Sequence, residues 1–202
     1  MAEAHNGSIG LTQPGHYGAA GTGVALSEAT IVSAWNVQGD PARPALIEEV
    51  RRLFEVALPL VPNTTTRTDK ITALWLGPQS WLLTAGAASA LVDYAAKRDA
   101  LTAAGSALFD VSASRVAWTI SGPRATDVLA KGCTLDFHPR VFAAGACAQS
   151  VFGHVNVLID KRDDEPTFTV MVARSFAREL WHTLCEGAAQ YGYDVLPPVR
   201  FR

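Results

Sequence analysis

Residues 109–132 read FDVSASRVAWTISGPRATDVLAKG, and this stretch decides the fold. The apolar run around Trp118 predicts a strand, Gly122 and Pro123 break it, and a helix spanning Ala125 to Lys131 follows, with Gly132 as its C-cap. The same strand-to-helix turn occurs earlier at a constant offset of 83 residues: Ala34 matches Ala117, Trp35 Trp118, Val37 Ile120, Gly39 Gly122, Ala42 Ala125 and Leu46 Leu129. Pro41 and Pro123 miss by one position. An internal repeat dictates architecture, so the chain reads as two similar halves.

Downstream of the quoted stretch, ACAQSVFGHVNVLID (146–160) and PTFTVMVA (166–173) predict two strands joined by the polar turn Lys161 to Glu165. A closing helix follows, with Phe176, Leu180, Trp181, Leu184 and Ala188 as its buried stripe and Arg178, His182 and Glu186 as a solvated i, i+4 row. Upstream, ATIVSAWNV (29–37) predicts a strand, and Asp40-Pro41 an N-cap and first helical residue. Leu46, Val50, Leu53, Phe54 and Ala57 then recur at helical spacing until Pro59 and Pro62. ITALWLGPQSWLLTA (71–85) reads as a β-hairpin about Gly77-Pro78. A second helix is expected over Ala88 to Thr102, with Leu91, Tyr94, Ala95 and Leu101 facing inward.

The expected class is therefore α+β: two β-α-β-β-α halves of the split βαβ, ferredoxin-like kind, with mainly antiparallel sheets, helices on one face of each and the two layers packed together. The halves run over 29–105 and 106–202. Residues 1–28, with the run GHYGAAGTG from Gly15 to Gly23, read as a flexible Gly-rich arm. Gly18, Gly21 and Gly23 give G-x-x-G-x-G, the reverse of the dinucleotide-binding order, and no predicted strand precedes them.

Charged residues make up only 18% of the 202, against about 25% in typical domains. A surface so poor in charge is suited to contact with other chains, and an Ala-rich composition accounts for part of the same figure equally well. The net charge is −2 and the cations are scattered, which argues against nucleic acid. Cys133, Cys147 and Cys185 lack any paired spacing, so neither a disulfide scaffold nor a zinc site is expected and a reducing cytoplasm fits best. No run of about 18 apolar residues is present to span a bilayer.

Chemistry-bearing motifs are sparse in the chain. Ser112 and Ser114 lie beside Asp110 without a histidine tied to them, a pattern far commoner in turns than in nucleophilic sites. His5, His16, His138, His154 and His182 show no metal-ligand spacing, and the reading assigns no catalytic, cofactor or metal residue. His154 and Asn156, two apart in VFGHVNV, are expected on one polar sheet face. Trp35, Trp75, Trp81, Trp118 and Trp181 read as core.

The D-V-S of the quoted stretch, its apolar strand and the following G-x-x-A-x-x-x-L resemble the folate-binding aminomethyltransferase superfamily, typified by the glycine cleavage T-protein. Together with LWLGPQSWLL, the run from Gly145 to Asp160 and ARSFARELW, they look like the gamma subunit family of heterotetrameric sarcosine oxidase. The resemblance implies a shortened aminomethyltransferase-like fold and a structural role beside alpha, beta and delta subunits, mainly alpha. It implies a complex that demethylates sarcosine oxidatively to glycine, giving formaldehyde or methylenetetrahydrofolate and hydrogen peroxide. FAD, FMN, NAD, zinc and tetrahydrofolate are then expected on the other subunits and none on this chain. Asp136, in GCTLDFHP, falls near the superfamily's catalytic acid and is at most a relic of it. Two alternatives remain: an independent folate-dependent aminomethyl carrier using Asp136, or a subunit of a related oxidase for another N-methyl amine.

Overall fold

The computed structural model describes residues 13–86 and 93–200. The chain divides into two compact units, one of residues 31–113 with Arg200 and one of residues 13–30 with 114–199, so that of the last strand, Val199–Arg200, only Val199 is counted with the second. It opens with two strands of the second unit, β1 (Gly15–Tyr17) and β2 (Val24–Thr30). The first unit follows as β3 (Ser33–Gln38), α1 (Pro44–Phe54), β4 (Thr65–Arg67), β5 (Thr72–Gly77), β6 (Ser80–Ala85), α2 (Tyr94–Ala103) and β7 (Ala107–Asp110). The chain then returns to the second unit with β8 (Arg115–Ser121), α3 (Ala125–Gly132), β9 (Cys147–Phe152), β10 (Val155–Lys161), β11 (Phe168–Ala173), α4 (Ala177–Ala189), β12 (Tyr193–Val195) and β13 (Val199–Arg200).

In the first unit the strands lie in the order β4-β5-β6-β3-β7, every neighbouring pair antiparallel. Period-2 alternation puts Trp35, Val37, Leu83, Ala85 and Ala73 on one face, where Leu46, Val50 and Phe54 of α1 and Leu101 of α2 complete a buried core. Trp35 lies 5.4 Å from the Phe54 ring, and the Trp81 indole N–H donates to the Pro59 carbonyl at 2.8 Å. α1 begins at Pro44, three residues later than expected. Asp40 spends its carboxylate on the Ala42 amide, 2.9 Å away, in the preceding turn, and Pro44 supplies the preset φ at the first helical turn.

The larger sheet runs β1-β12-β2-β8-β11-β10-β9, with β13 pairing with β2 off this path. β2 is parallel to β12 and antiparallel to β8, so this sheet is mixed. Leu26, Val116, Trp118, Ile120, Val157, Ile159, Phe168, Val170 and Val172 face α3 and α4, whose Val128, Leu129, Leu180, Trp181 and Leu184 close the core. The rings of Trp118 and Trp181 stack at 6.0 Å.

The duplication is visible in the element order. Each repeat runs strand, helix, three strands, helix, strand, β3 to β7 and then β8 to β12, and the first four strands occupy corresponding places in the two sheets, β4-β5-β6-β3 and β9-β10-β11-β8, while β7 pairs with β3 directly and β2 comes between β8 and β12. The β-α-β-β-α expectation thus lacks strands in both halves. In the first half the three-residue β4 was too short to show a pattern. In the second, residues 146–160 form the hairpin β9-β10 rather than one strand, because Gly153 takes a positive φ of 60° that a two-residue turn requires.

The expected arm is corrected as well. Its described part holds β1 and β2, and β2 is an interior strand between β12 and β8, with Leu26 fully buried. The expected strand 29–37 is broken at residues 31–32, where the chain passes from β2 of one sheet to β3 of the other. Phe176, expected in the α4 stripe, is 49% exposed because the helix proper begins at Ala177. Ala95 is exposed, and the start of the expected second helix, with Leu91, lies outside the described residues.

Candidate functional site

Register sets the site. On the face of the large sheet turned away from α3 and α4, Arg115 of β8 lies opposite Ala173 of β11, and Asn156 of β10 lies opposite Val151 of β9. The β10-β11 register, which pairs Val157 with Val172, puts Asn156 next to Ala173. Arg115, Ala173, Asn156 and Val151 therefore form one row across four strands. The next row inward is Ala117, Met171, Leu158 and Gln149, of which the first three are buried. With about 4.8 Å between strands, Arg115 and Asn156 stand about 10 Å apart, and the methyl group of Ala173 between them leaves a depression.

That depression is a groove of about 550 Å³, lined by Arg115, Asn156, Gln149, Ser114, Val151 and Leu158 among others. Arg115 is half-buried, and burial pulls its guanidinium below the usual arginine value while leaving it protonated at any physiological pH. No carboxylate or other acceptor pairs with it among the described residues. Asn156 is exposed and its amide is likewise unengaged. The groove therefore offers one fixed positive charge and an amide over a small apolar floor, an arrangement that recognises a carboxylate. It contains no titratable pair suited to general acid–base work.

The residues singled out in the sequence lie elsewhere. Asp136 is exposed in the loop between α3 and β9 and accepts the His138 amide at 2.9 Å. Phe137 and Phe142, which follow it in the same loop, pack edge-on and stacked against Phe168 in the helix-side core, so the loop belongs to the face opposite the groove. His154 occupies the β9-β10 turn instead of the strand, and only Asn156 of that pair reaches the groove. Ser112 is a structural hydroxyl: its Oγ accepts the Ala34 amide at 2.9 Å and donates to Asp110 Oδ1 at 2.6 Å, closing the β3-β7 edge. His182 pairs with Glu186 at 3.1 Å on the exposed side of α4, as its i, i+4 spacing predicts.

Cys133 and Cys147 are buried thiols outside any disulfide, and burial raises the Cys185 thiol above its ordinary value. No cluster of three His, Cys, Asp or Glu side chains converges among the described residues. No helix among them is long and apolar enough to cross a membrane. Sequence reasoning passed over Arg115 because a lone arginine at a strand start carries no signal until register brings Asn156 beside it.

A family model described as the sarcosine oxidase gamma subunit family matches residues 38–190. Among solved structures, the chain is similar to a chain of the heterotetrameric sarcosine oxidase from Corynebacterium sp. U-96 in complex with pyrrole 2-carboxylate. The two are 25% identical with a TM-score of 0.77, over 87% of this chain and 88% of that one. It is similar also to glycine cleavage system aminomethyltransferase T from Bartonella henselae, at 16% identity and a TM-score of 0.61, over 88% of this chain and 48% of that one. The chain thus spans about half the length of that protein, and the likeness concerns the fold alone. No curated protein matches the chain.

Proposed function

The chain belongs to the sarcosine oxidase gamma subunit family, and from that premise we propose that it serves as the gamma subunit of a heterotetrameric sarcosine oxidase. Its role there is structural: it helps to assemble the complex, and the alpha, beta and delta chains carry FAD, FMN, NAD, zinc and tetrahydrofolate. The complex converts sarcosine to glycine, formaldehyde or methylenetetrahydrofolate, and hydrogen peroxide.

The observation that carries this reading is the family match over residues 38–190, which covers most of both repeats, from the end of β3 to the end of α4. The similarity to a chain of the Corynebacterium oxidase over nearly all of both chains supports it. The groove is consistent with it, since Arg115 and Asn156 recognise without any group to transfer protons. The reading of an independent aminomethyl carrier has no comparable support: Asp136 lies on the helix side, away from the groove.

The test is reconstitution. Partner subunits expressed with and without this chain are compared for assembly by size-exclusion chromatography and for sarcosine-dependent peroxide formation. Assembly and activity are expected to fall without the chain; a fully active, intact complex lacking it sinks the proposal.

A further inference from the structure

The half-buried guanidinium of Arg115 poses an energetic problem. Taking a charge out of water without a counter-charge costs free energy, and proteins meet this cost with an ion pair or hydrogen bonds. Arg115 has neither among the described residues. The rest of the groove cannot supply the missing anion, because its other lining residues among those described are all neutral. Among the described residues no counter-charge is available, and a partner chain can supply one.

We propose that this groove docks an extended, carboxylate-bearing segment of a partner subunit, with Arg115 as the anchor for an Asp, Glu or C-terminal carboxylate. The proposal rests on the reading of the chain as a gamma subunit. A single guanidinium suits one carboxylate; a phosphate or a polyanion calls for several cations, and among the described residues Arg115 is the only cation lining the groove. The unengaged amide of Asn156, about 10 Å away across Ala173, can donate to and accept from the main chain of an extended segment at the next residue but one or two. Leu158 and Val151 give its side chains an apolar floor, and Val151 is 46% exposed until something covers it.

A free small acid fits less well. Small-molecule sites enclose about 70–90% of the ligand, whereas this groove lies open along the sheet at its β9 edge, where no further strand pairs among the described residues. Arginine anchors with a desolvated partner are typical energetic centres of protein interfaces.

The experiment uses the full chain and its partner subunits. Arg115→Gln is expected to weaken incorporation into the complex by on the order of 30-fold or more, as truncating one member of an interfacial charge pair does, and to flatten the salt dependence of assembly. The isolated variant is expected to unfold at the same temperature or higher, since an uncompensated charge has been removed. Asn156→Asp places an internal carboxylate within reach of the guanidinium and is expected to weaken docking in a chain that stays folded. In Arg115→Lys, carbodiimide coupling is expected to link the introduced amine to one acidic residue of a partner subunit, located by mass spectrometry.

Wild-type assembly that Arg115→Gln and Asn156→Asp leave unchanged, with no coupled product, overturns the docking proposal and leaves the gamma-subunit reading intact. Arg115-dependent binding of acetate or succinate by the isolated chain, with assembly indifferent to Arg115, likewise overturns it in favour of a free ligand. Failure of the wild-type chain to join the partners at all removes both.

Discussion

His16 Nδ1 lies 2.7 Å from Asp194 Oδ1, across 178 residues of sequence, and the other ring nitrogen lies 3.1 Å from the Ala19 carbonyl. Both nitrogens face acceptors, which only the imidazolium can satisfy with two N–H groups. The hydrogen bond to Asp194, reinforced by Ala19, accordingly raises the histidine above 6.5, and the same bond, with help from Thr22, holds Asp194 below 3.8. The raised histidine contributes fully below its unfolded value and loses that contribution as pH rises through its folded value. The lowered aspartate contributes above its unfolded value and loses it as pH falls. The tie between β1 and β12 is thus strongest between roughly pH 4 and 6.5. The protection of the amides of residues 15–22, exchange measured relative to its intrinsic rate at each pH, should be greatest in that window and fall above it. His16→Gln should abolish this dependence; wild-type protection constant from pH 5 to 8 refutes the account.

Leu26→Ala should destabilise the second unit by about 2–5 kcal/mol. The residue is fully buried in the middle of β2, opposite Ile120. Denaturant titration followed by Trp118 and Trp181 fluorescence reads the loss. A loose arm predicts no change at all, so the variant separates the two pictures.

Lys161 is 3% exposed, yet its ammonium donates to the Asp163 carbonyl at 2.7 Å and to the Glu165 carbonyl, and sits 4.8 Å above the Phe168 ring. It pins the turn between β10 and β11. Lys161→Met keeps the length of the side chain and removes the donors, and should cost about 1–3 kcal/mol. An unchanged melting temperature would show that the turn does not depend on the lysine.

Ser112→Ala should leave the buried Ala34 amide without its side-chain acceptor, at about 1–3 kcal/mol. The assembled oxidase should keep its peroxide output per mole of complex. Loss of turnover in a complex that still assembles would assign Ser112 a chemical part and contradict its placement at the β3-β7 edge.

The repeat was legible because Trp35 and Trp118, and Leu46 and Leu129, are core residues at equivalent points, and core positions tolerate little change. The α4 stripe from Leu180 to Ala188 was legible from its 3.6-residue period. β2 was not. Its sequence VALSEAT mixes apolar residues with Ser27 and Glu28, and it becomes a strand only because distant β8 and β12 flank it. The β9-β10 hairpin was hidden by apolar residues on both sides of Gly153, whose positive φ is a property of the folded chain. The groove was hidden for a related reason. Arg115, Asn156 and Ala173 come from three strands, and only pairing register turns them into neighbours.

The passage of the chain from β2 to β3 at residues 31–32 has a kinetic consequence. On a ribosome, residues 31–113 hold every strand of the first sheet and can pair as they emerge. β2 leaves the ribosome before them, yet its neighbour β8 begins only at Arg115, and β12 at Tyr193. At about 5–20 residues per second, β2 waits on the order of ten seconds for its first partner. During that interval it is an unpaired strand whose partners are far along the chain, open to other chains or to a chaperone.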